Sequence, residues 1–236
     1  MLPAVSLTLA LGLAGCGGPT QADPDRRAGL SAVHGTPSST EKDVLSRLPA
    51  QLAADGTTVV VGDPAAPHTV RVHSDFRCPF CARFESVNGA VLARAAAKGG
   101  VKVEYVLTSF LDGRLGGHGS RKATNAARAA LEAGRFPEFH AALFARQPDD
   151  ELTDAYTDER LLRIADEVPG LRGEVFDRAV RGSAYQDWVA ASQVAHEKSG
   201  VRTTPTVLVD GARVADQVKY DSTAFAKLLE SSGVPL

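Results

Sequence analysis

The chain has few thiols: three cysteines, one methionine and one tryptophan in 236 residues. Three cysteines are too few to staple a disulfide-dense scaffold or to supply a four-thiolate zinc site. Charge of one sign is also missing. The 26 basic and 28 acidic side chains leave a net charge of −2, which offers no electrostatic footprint for a polyanion and argues against a nucleic-acid partner. At 44% hydrophobic and 23% charged, the composition is neither disordered nor collagen-like, and the length suffices to bury one core. Internal repeats are absent, and no charged residue precedes Asp23.

That uncharged start is informative. Residues 1–15, MLPAVSLTLALGLAG, are apolar and small, and shorter than the roughly 20 residues that cross a bilayer as a helix. The length suits the apolar region of a secretory signal. The segment ends in Leu13-Ala14-Gly15-Cys16, which resembles a bacterial lipoprotein signal. The resemblance implies cleavage after residue 15 and acylation of Cys16, whose chains hold a membrane at about 0.8 kcal/mol per buried methylene. No Lys or Arg precedes Cys16, a departure from such signals that suggests an initiator further upstream. An ordinary signal peptide with a coincidental cysteine is the alternative. The following stretch is rich in Gly, Pro, Ser and Thr without apolar periodicity, so residues 16–50 are expected to be a flexible tether.

The body alternates element types. Strands are expected at 57–61, 69–74 and 101–107, with a helix carrying Phe80, Phe84, Val87 and Val91 between the second and third. That βαβ order predicts a parallel pair. From 113 to 186 the patterns are helical, and Ser120 is a candidate cap for a helix running to Glu132. Strands then return at 206–209 and 212–214 around the hairpin signal Asp210-Gly211, and Asp221 caps a last helix. The expected organisation is an α/β domain, residues 51–112 and 187–236, split by a helical insertion at 113–186.

Chemistry concentrates in Cys78-Pro79-Phe80-Cys81, directly after a strand and at a helix start. Pro79 fits the first helical position. Cys78 then faces the free amides and positive end of the helix, which favour its thiolate, while Cys81 lies one turn deeper. This division lets Cys78 attack and be attacked and Cys81 resolve the mixed disulfide. Three other readings stay open at this point: two buried structural thiols, half of a zinc site near His68 and His73, and a permanent disulfide closing a very short loop. Asp75 is a possible proton relay to the thiols, with Glu104 and His73 weaker candidates. His118, His140 and His196 read as surface or core-edge residues, and Trp188 and the phenylalanines as core.

The run from Gly62-Asp63-Pro64 through Asp75-Phe76-Arg77-Cys78-Pro79-Phe80-Cys81, with Gly134-Arg135-Phe136, Phe139-His140-Ala141-Ala142-Leu143-Phe144 and Thr204-Pro205-Thr206, resembles the DsbA-like thiol–disulfide oxidoreductases of the thioredoxin superfamily. The resemblance covers about residues 55–232. It implies a thioredoxin-like fold, a central mixed β-sheet flanked by helices with an inserted helical domain. It also implies a cis-proline loop at Pro205 beside the thiols, where the Thr204 backbone pairs with an extended substrate and keeps metal away. Phe80 replaces the His or Tyr of well-known members and offers no donor to Cys78, so a less strongly oxidising poise is expected.

The function expected is an exported, membrane-tethered oxidoreductase that donates its Cys78–Cys81 disulfide to unfolded or reduced secreted proteins. A membrane redox partner, a monomeric state, and no cofactor or metal beyond that disulfide complete the expectation. A reductant or isomerase working in the opposite direction is the same-chemistry alternative. A thioredoxin-fold binding lipoprotein without turnover is the alternative from another class.

Overall fold

The computed structural model describes Met1 and residues 36–150 and 152–236, which lie, Met1 aside, within one compact unit spanning Ala32–Leu236. The expected signal peptide, the lipidation site Cys16 and the tether as far as residue 35 fall outside the described residues.

The tether expectation ends too late. Residues Ser39–Leu45 form a helix, α1, whose N-cap Ser38 accepts from the Glu41 amide at 3.2 Å. Ala50–Leu52 is a strand, β1, paired antiparallel with β2 at Val59–Val61. Both escaped the sequence pattern because each is short and has few core-facing side chains; packing of Leu45 and Leu48 into the main core holds the segment.

The sheet is built on β3, His68–Ser74, and β4, Val101–Leu107. These run parallel, joined by helix α2 over Pro79–Ala97. A hairpin of β5, Thr206–Val209, and β6, Ala212–Arg213, lies antiparallel against the other edge of β3. The order β1-β2-β4-β3-β5-β6 makes one mixed six-stranded sheet, the architecture expected. Asp210 and Gly211 turn the hairpin with φ of 47° and 84°, the left-handed pair that such a two-residue loop requires.

Between β4 and β5 the chain is helical: α3 at Phe110–Leu115, α4 at Gly119–Glu132, α5 at Phe136–Ala145, α6 at Asp158–Ala165, α7 at Glu174–Arg181 and α8 at Gln186–Lys198. A short α9, Asp216–Lys219, and α10, Ser222–Ser231, close the chain. Ser120 does not cap α4. It lies inside the helix, and two distant carboxylates do the capping: Asp112 accepts from the Ser120 and Arg121 amides at 2.9 and 3.0 Å, and Asp154 from the His118 and Gly119 amides at 3.0 and 2.6 Å. A Cβ on Gly119 would stand 2.5 Å from Asp154 Oδ1, so a side chain here would displace the carboxylate that caps the helix. One core joins sheet and helices through Phe76, Phe84, Phe136, Phe139 and Phe225.

Candidate active site

β3 delivers the chain to the site. After Ser74 a turn closes through the Cys78 amide, which donates to Asp75 O at 3.0 Å. Cys78 is then the N-cap of α2 and Pro79 its first residue. The Cys78 carbonyl accepts from the amides of Cys81 and Ala82 at 3.0 and 3.2 Å. It also accepts from Gln147 Nε2 at 3.0 Å, and the same amide group donates to Phe76 O at 2.7 Å. Gln147, just past α5, thereby ties the motif to the helical block. Both thiols are free; Cys81 is wholly buried and Cys78 is 6% exposed.

Across from the thiols, the Thr204–Pro205 peptide bond is cis. Cys78 Sγ–H donates to the Thr204 carbonyl at 3.3 Å. The loop is held from behind by buried Lys219, whose ammonium donates to Pro205 O at 2.9 Å, while its own carbonyl accepts from Asn88 Nδ2 of α2 at 2.7 Å. Five residues singled out from sequence, Cys78, Pro79, Cys81, Thr204 and Pro205, therefore converge. Phe80 stands at the rim, 44% exposed, with its ring centroid 6.3 Å from that of Tyr220.

The two thiols are held apart in acidity. A hydrogen bond from the Cys81 thiol lowers the Cys78 pKa against the cost of burial, helped by the Thr204 side chain and the Cys81 amide and opposed by the Asp75 charge. Burial raises the Cys81 pKa well above the ordinary thiol range, and Cys78 beside it adds to the rise. Cys78 is thus the group suited to be a thiolate, and Cys81 the one held protonated.

Asp75 is fully buried and its carboxylate faces the helical block. It accepts from Arg77 N at 2.9 Å, Ser120 Oγ at 2.7 Å and Leu111 N at 3.2 Å. Burial raises its pKa to about 7 despite those three donors, with the Asp112 charge adding to the rise. Unfolded Asp loses its proton near pH 3.9, whereas the folded group keeps it to about 7. The unfolded state therefore binds fewer protons in that window, so stability falls as pH rises from about 4 to about 7, by roughly 4 kcal/mol for this group alone. Urea unfolding across that range should show a shallower fall for Asp75→Asn than for wild type; an identical pH profile would remove the assignment.

The other candidates lie elsewhere. Glu104 pairs with Arg71 across the β3–β4 register at 2.6 Å rather than flanking the thiols. His73 makes a buried Nδ1–Nδ1 contact of 3.1 Å with His196, so His196 is core and not surface. His140 is core as well, edge-on to Phe76 and Phe144. Phe110 and Tyr185 join the packing around α8 and α4. Residues that sequence reasoning missed are Gln147, Lys219 and the buried Arg77–Asp112 ion pair at 3.0 Å; only Arg77, inside the motif, carried a local signal. Among the described residues no three His, Cys, Asp or Glu side chains converge as metal ligands, and no helix is long and apolar enough to cross a membrane.

The chain is similar to known proteins. Residues 54–230 match a family model described as Thioredoxin. "Disulfide bond formation protein D" of Bacillus subtilis is 27% identical over 165 residues, 69% of this chain and 72% of that protein. The structure is similar to that of oxidised DsbA from Mycobacterium tuberculosis, at 27% identity and a TM-score of 0.60 over 80% of this chain and 94% of that one. A Na(+)/H(+) antiporter NhaA 1 of Mycobacterium sp. is 32% identical over 179 residues, but the chain spans only 26% of that protein's length. With the thiol pair at the head of α2, the cis-proline loop opposite and a family match across most of its length, the chain belongs to the thioredoxin family as a DsbA-like thiol–disulfide oxidoreductase.

Proposed function

We propose that the protein donates its Cys78–Cys81 disulfide to unfolded or reduced secreted proteins through a mixed disulfide at Cys78. The carrying observation is the placement of the pair: Cys78 stands at the N-cap of α2 against the cis Thr204–Pro205 loop, and Cys81 is wholly buried one turn deeper, which lowers the Cys78 pKa and raises that of Cys81. A dithiol whose reduced form gains from a stabilised thiolate makes an oxidising disulfide. A substrate thiolate attacks Cys78 Sγ, the Cys78–Cys81 bond breaks and Cys81 leaves as thiolate, taking up a proton. A second substrate thiolate then attacks the substrate sulfur of the mixed disulfide and releases Cys78. The substrate leaves oxidised by two electrons, and the enzyme holds them as the dithiol.

In this reading Thr204 and Pro205 present the backbone edge for the extended substrate. Asp75 is the proton relay in this reading; its charge opposes the Cys78 thiolate, and its carboxylate accepts from Arg77, Ser120 and Leu111. The disulfide is the whole redox equipment, with no cofactor or metal. The protein works outside the cytoplasm as a monomer, held at the membrane by lipidated Cys16 and reoxidised by a membrane redox partner. Refolding of a reduced, denatured secreted protein tests the direction: the oxidised enzyme should restore activity faster than glutathione disulfide alone, and no acceleration would contradict donation.

Phe80 tunes the poise. Its exposed ring offers Cys78 no donor, so Phe80→His should shift the couple toward oxidation by about 30 mV or more, a tenfold change in equilibrium constant. Equilibration with glutathione checks it, and a wild type more oxidising than the variant would overturn the role.

A further inference from the structure

On the far side of α2 from the cis-proline loop lies a cavity of about 150 Å³. Its walls come from α1, α2, β4 and α5, with apolar side chains such as Leu45, Leu92 and Phe144. A hydrophobic cavity of this size holds a molecule as large as benzene. This cavity is not purely apolar. Glu85 Oε1 and His140 Nε2 are both buried without a hydrogen-bond partner, and His140 is only 3% exposed. Tyr105 and Glu41 also line the space, and no Lys or Arg does.

Leaving two buried polar atoms unpaired is unfavourable, and a ligand with matching donors would recover that cost. The charges specify its sign. Two carboxyl groups, Glu41 and Glu85, line the cavity with no Lys or Arg in the wall to receive an anion, whereas an ammonium stabilises the ionised form of both. Neutral His140 and Tyr105 can each accept a hydrogen bond. An ammonium carries three donors, enough for Glu85 Oε1, His140 Nε2 and Tyr105 Oη together.

We propose that this cavity is a binding site for a primary amine, an ammonium head on an apolar body of about the size of a benzene ring. The site is separate from the thiols, although Ala82 and Glu85 of its wall lie within one turn of Cys81. The groups that titrate there are Glu41 of α1, Glu85 of α2, Tyr105 of β4 and His140 of α5. Burial, and then the Glu41 charge, raise the Glu85 pKa to about 8, while burial lowers that of His140 to about 3. Ammonium binding at pH 7 therefore draws the proton off Glu85 and releases it to buffer.

Calorimetric titration of the whole protein with benzylamine, benzyl alcohol and benzoate tests the site. Benzylamine should bind at least tenfold more tightly than the alcohol, benzoate should not bind, and the heat of amine binding should vary with the ionisation enthalpy of the buffer. Glu85→Gln should erase the preference for the amine while leaving thiol oxidation unchanged. Ala93→Leu, which fills part of the cavity, should weaken amine and alcohol alike. No benzylamine binding, equal affinity for the alcohol, or a preference that survives Glu85→Gln would overturn the proposal.

Discussion

The Cys81→Ser protein is expected to accumulate as a covalent mixed disulfide with its substrates, whereas Cys78→Ser is expected to lose thiol oxidation down to the uncatalysed rate. The asymmetry follows from burial and acidity. Cys78 is the thiol with a path to solvent and a lowered pKa, so it meets the substrate. Cys81 is wholly buried and held protonated, so its one accessible electrophile is the Cys78 sulfur beside it. Without Cys81 the mixed disulfide formed at Cys78 has lost its internal escape route. Non-reducing electrophoresis of each variant with a disulfide-bonded substrate, whose S–S bond the Cys78 thiolate opens as the mixed disulfide forms, reads the outcome: a discrete adduct for Cys81→Ser that vanishes with reductant, and none for Cys78→Ser. Equal adducts from both would contradict the assignment of roles.

Asp112→Ala is expected to destabilise the protein by about 3–5 kcal/mol, the range for breaking a buried ion pair from one side. Both partners are almost wholly buried: the side chains of Arg77 and Asp112 are 2% and 3% exposed. The same carboxylate caps α4 through the Ser120 and Arg121 amides, so its removal also leaves amides without an acceptor. Arg77 keeps the Gly116 carbonyl at 2.7 Å and a longer contact of 3.9 Å to the solvent-exposed Asp154 carboxylate, which is weaker than the buried 3.0 Å pair it loses. For a chain of this length the melting midpoint should fall by roughly 6–20 °C. Arg178→Ala breaks an exposed i,i+4 pair with Glu174 and should leave the midpoint nearly unmoved. Thermal unfolding of the two variants separates the cases, and a small shift for Asp112→Ala would mean that water already screens Arg77.

How far the molecule was legible in its sequence depends on how local each signal is. Cys78-Pro79-Phe80-Cys81 carries its own context, a strand before and a helix after, and the βαβ unit and the Asp210-Gly211 hairpin are equally local. Pro205 acquired meaning only through the family resemblance. What could not be read depends on contacts between distant residues. Asp112 and Asp154 cap α4 from other segments, so Ser120, the plausible local cap, was misassigned and instead bonds to Asp75. Gln147 and Lys219 read as ordinary polar residues, yet they hold the two loops that frame the thiols. His140 and His196 looked peripheral because imidazole is compatible with surface or core, and only aromatic and histidine neighbours from other elements decide it, Phe76 and Tyr105 for His140 and Phe110 and His73 for His196. The helix Ser39–Leu45 hid in a Ser- and Thr-rich stretch because its stability comes from the core it packs on.

The central claim is that the geometry around Cys78 makes this chain an oxidant of other proteins, and the equilibrium of its Cys78–Cys81 couple with glutathione tests it most directly. The account predicts a potential more oxidising than about −200 mV, above the glutathione-buffered range of a reducing compartment. A value near about −270 mV, where the thioredoxin couple lies, would contradict it and make the protein a reductant.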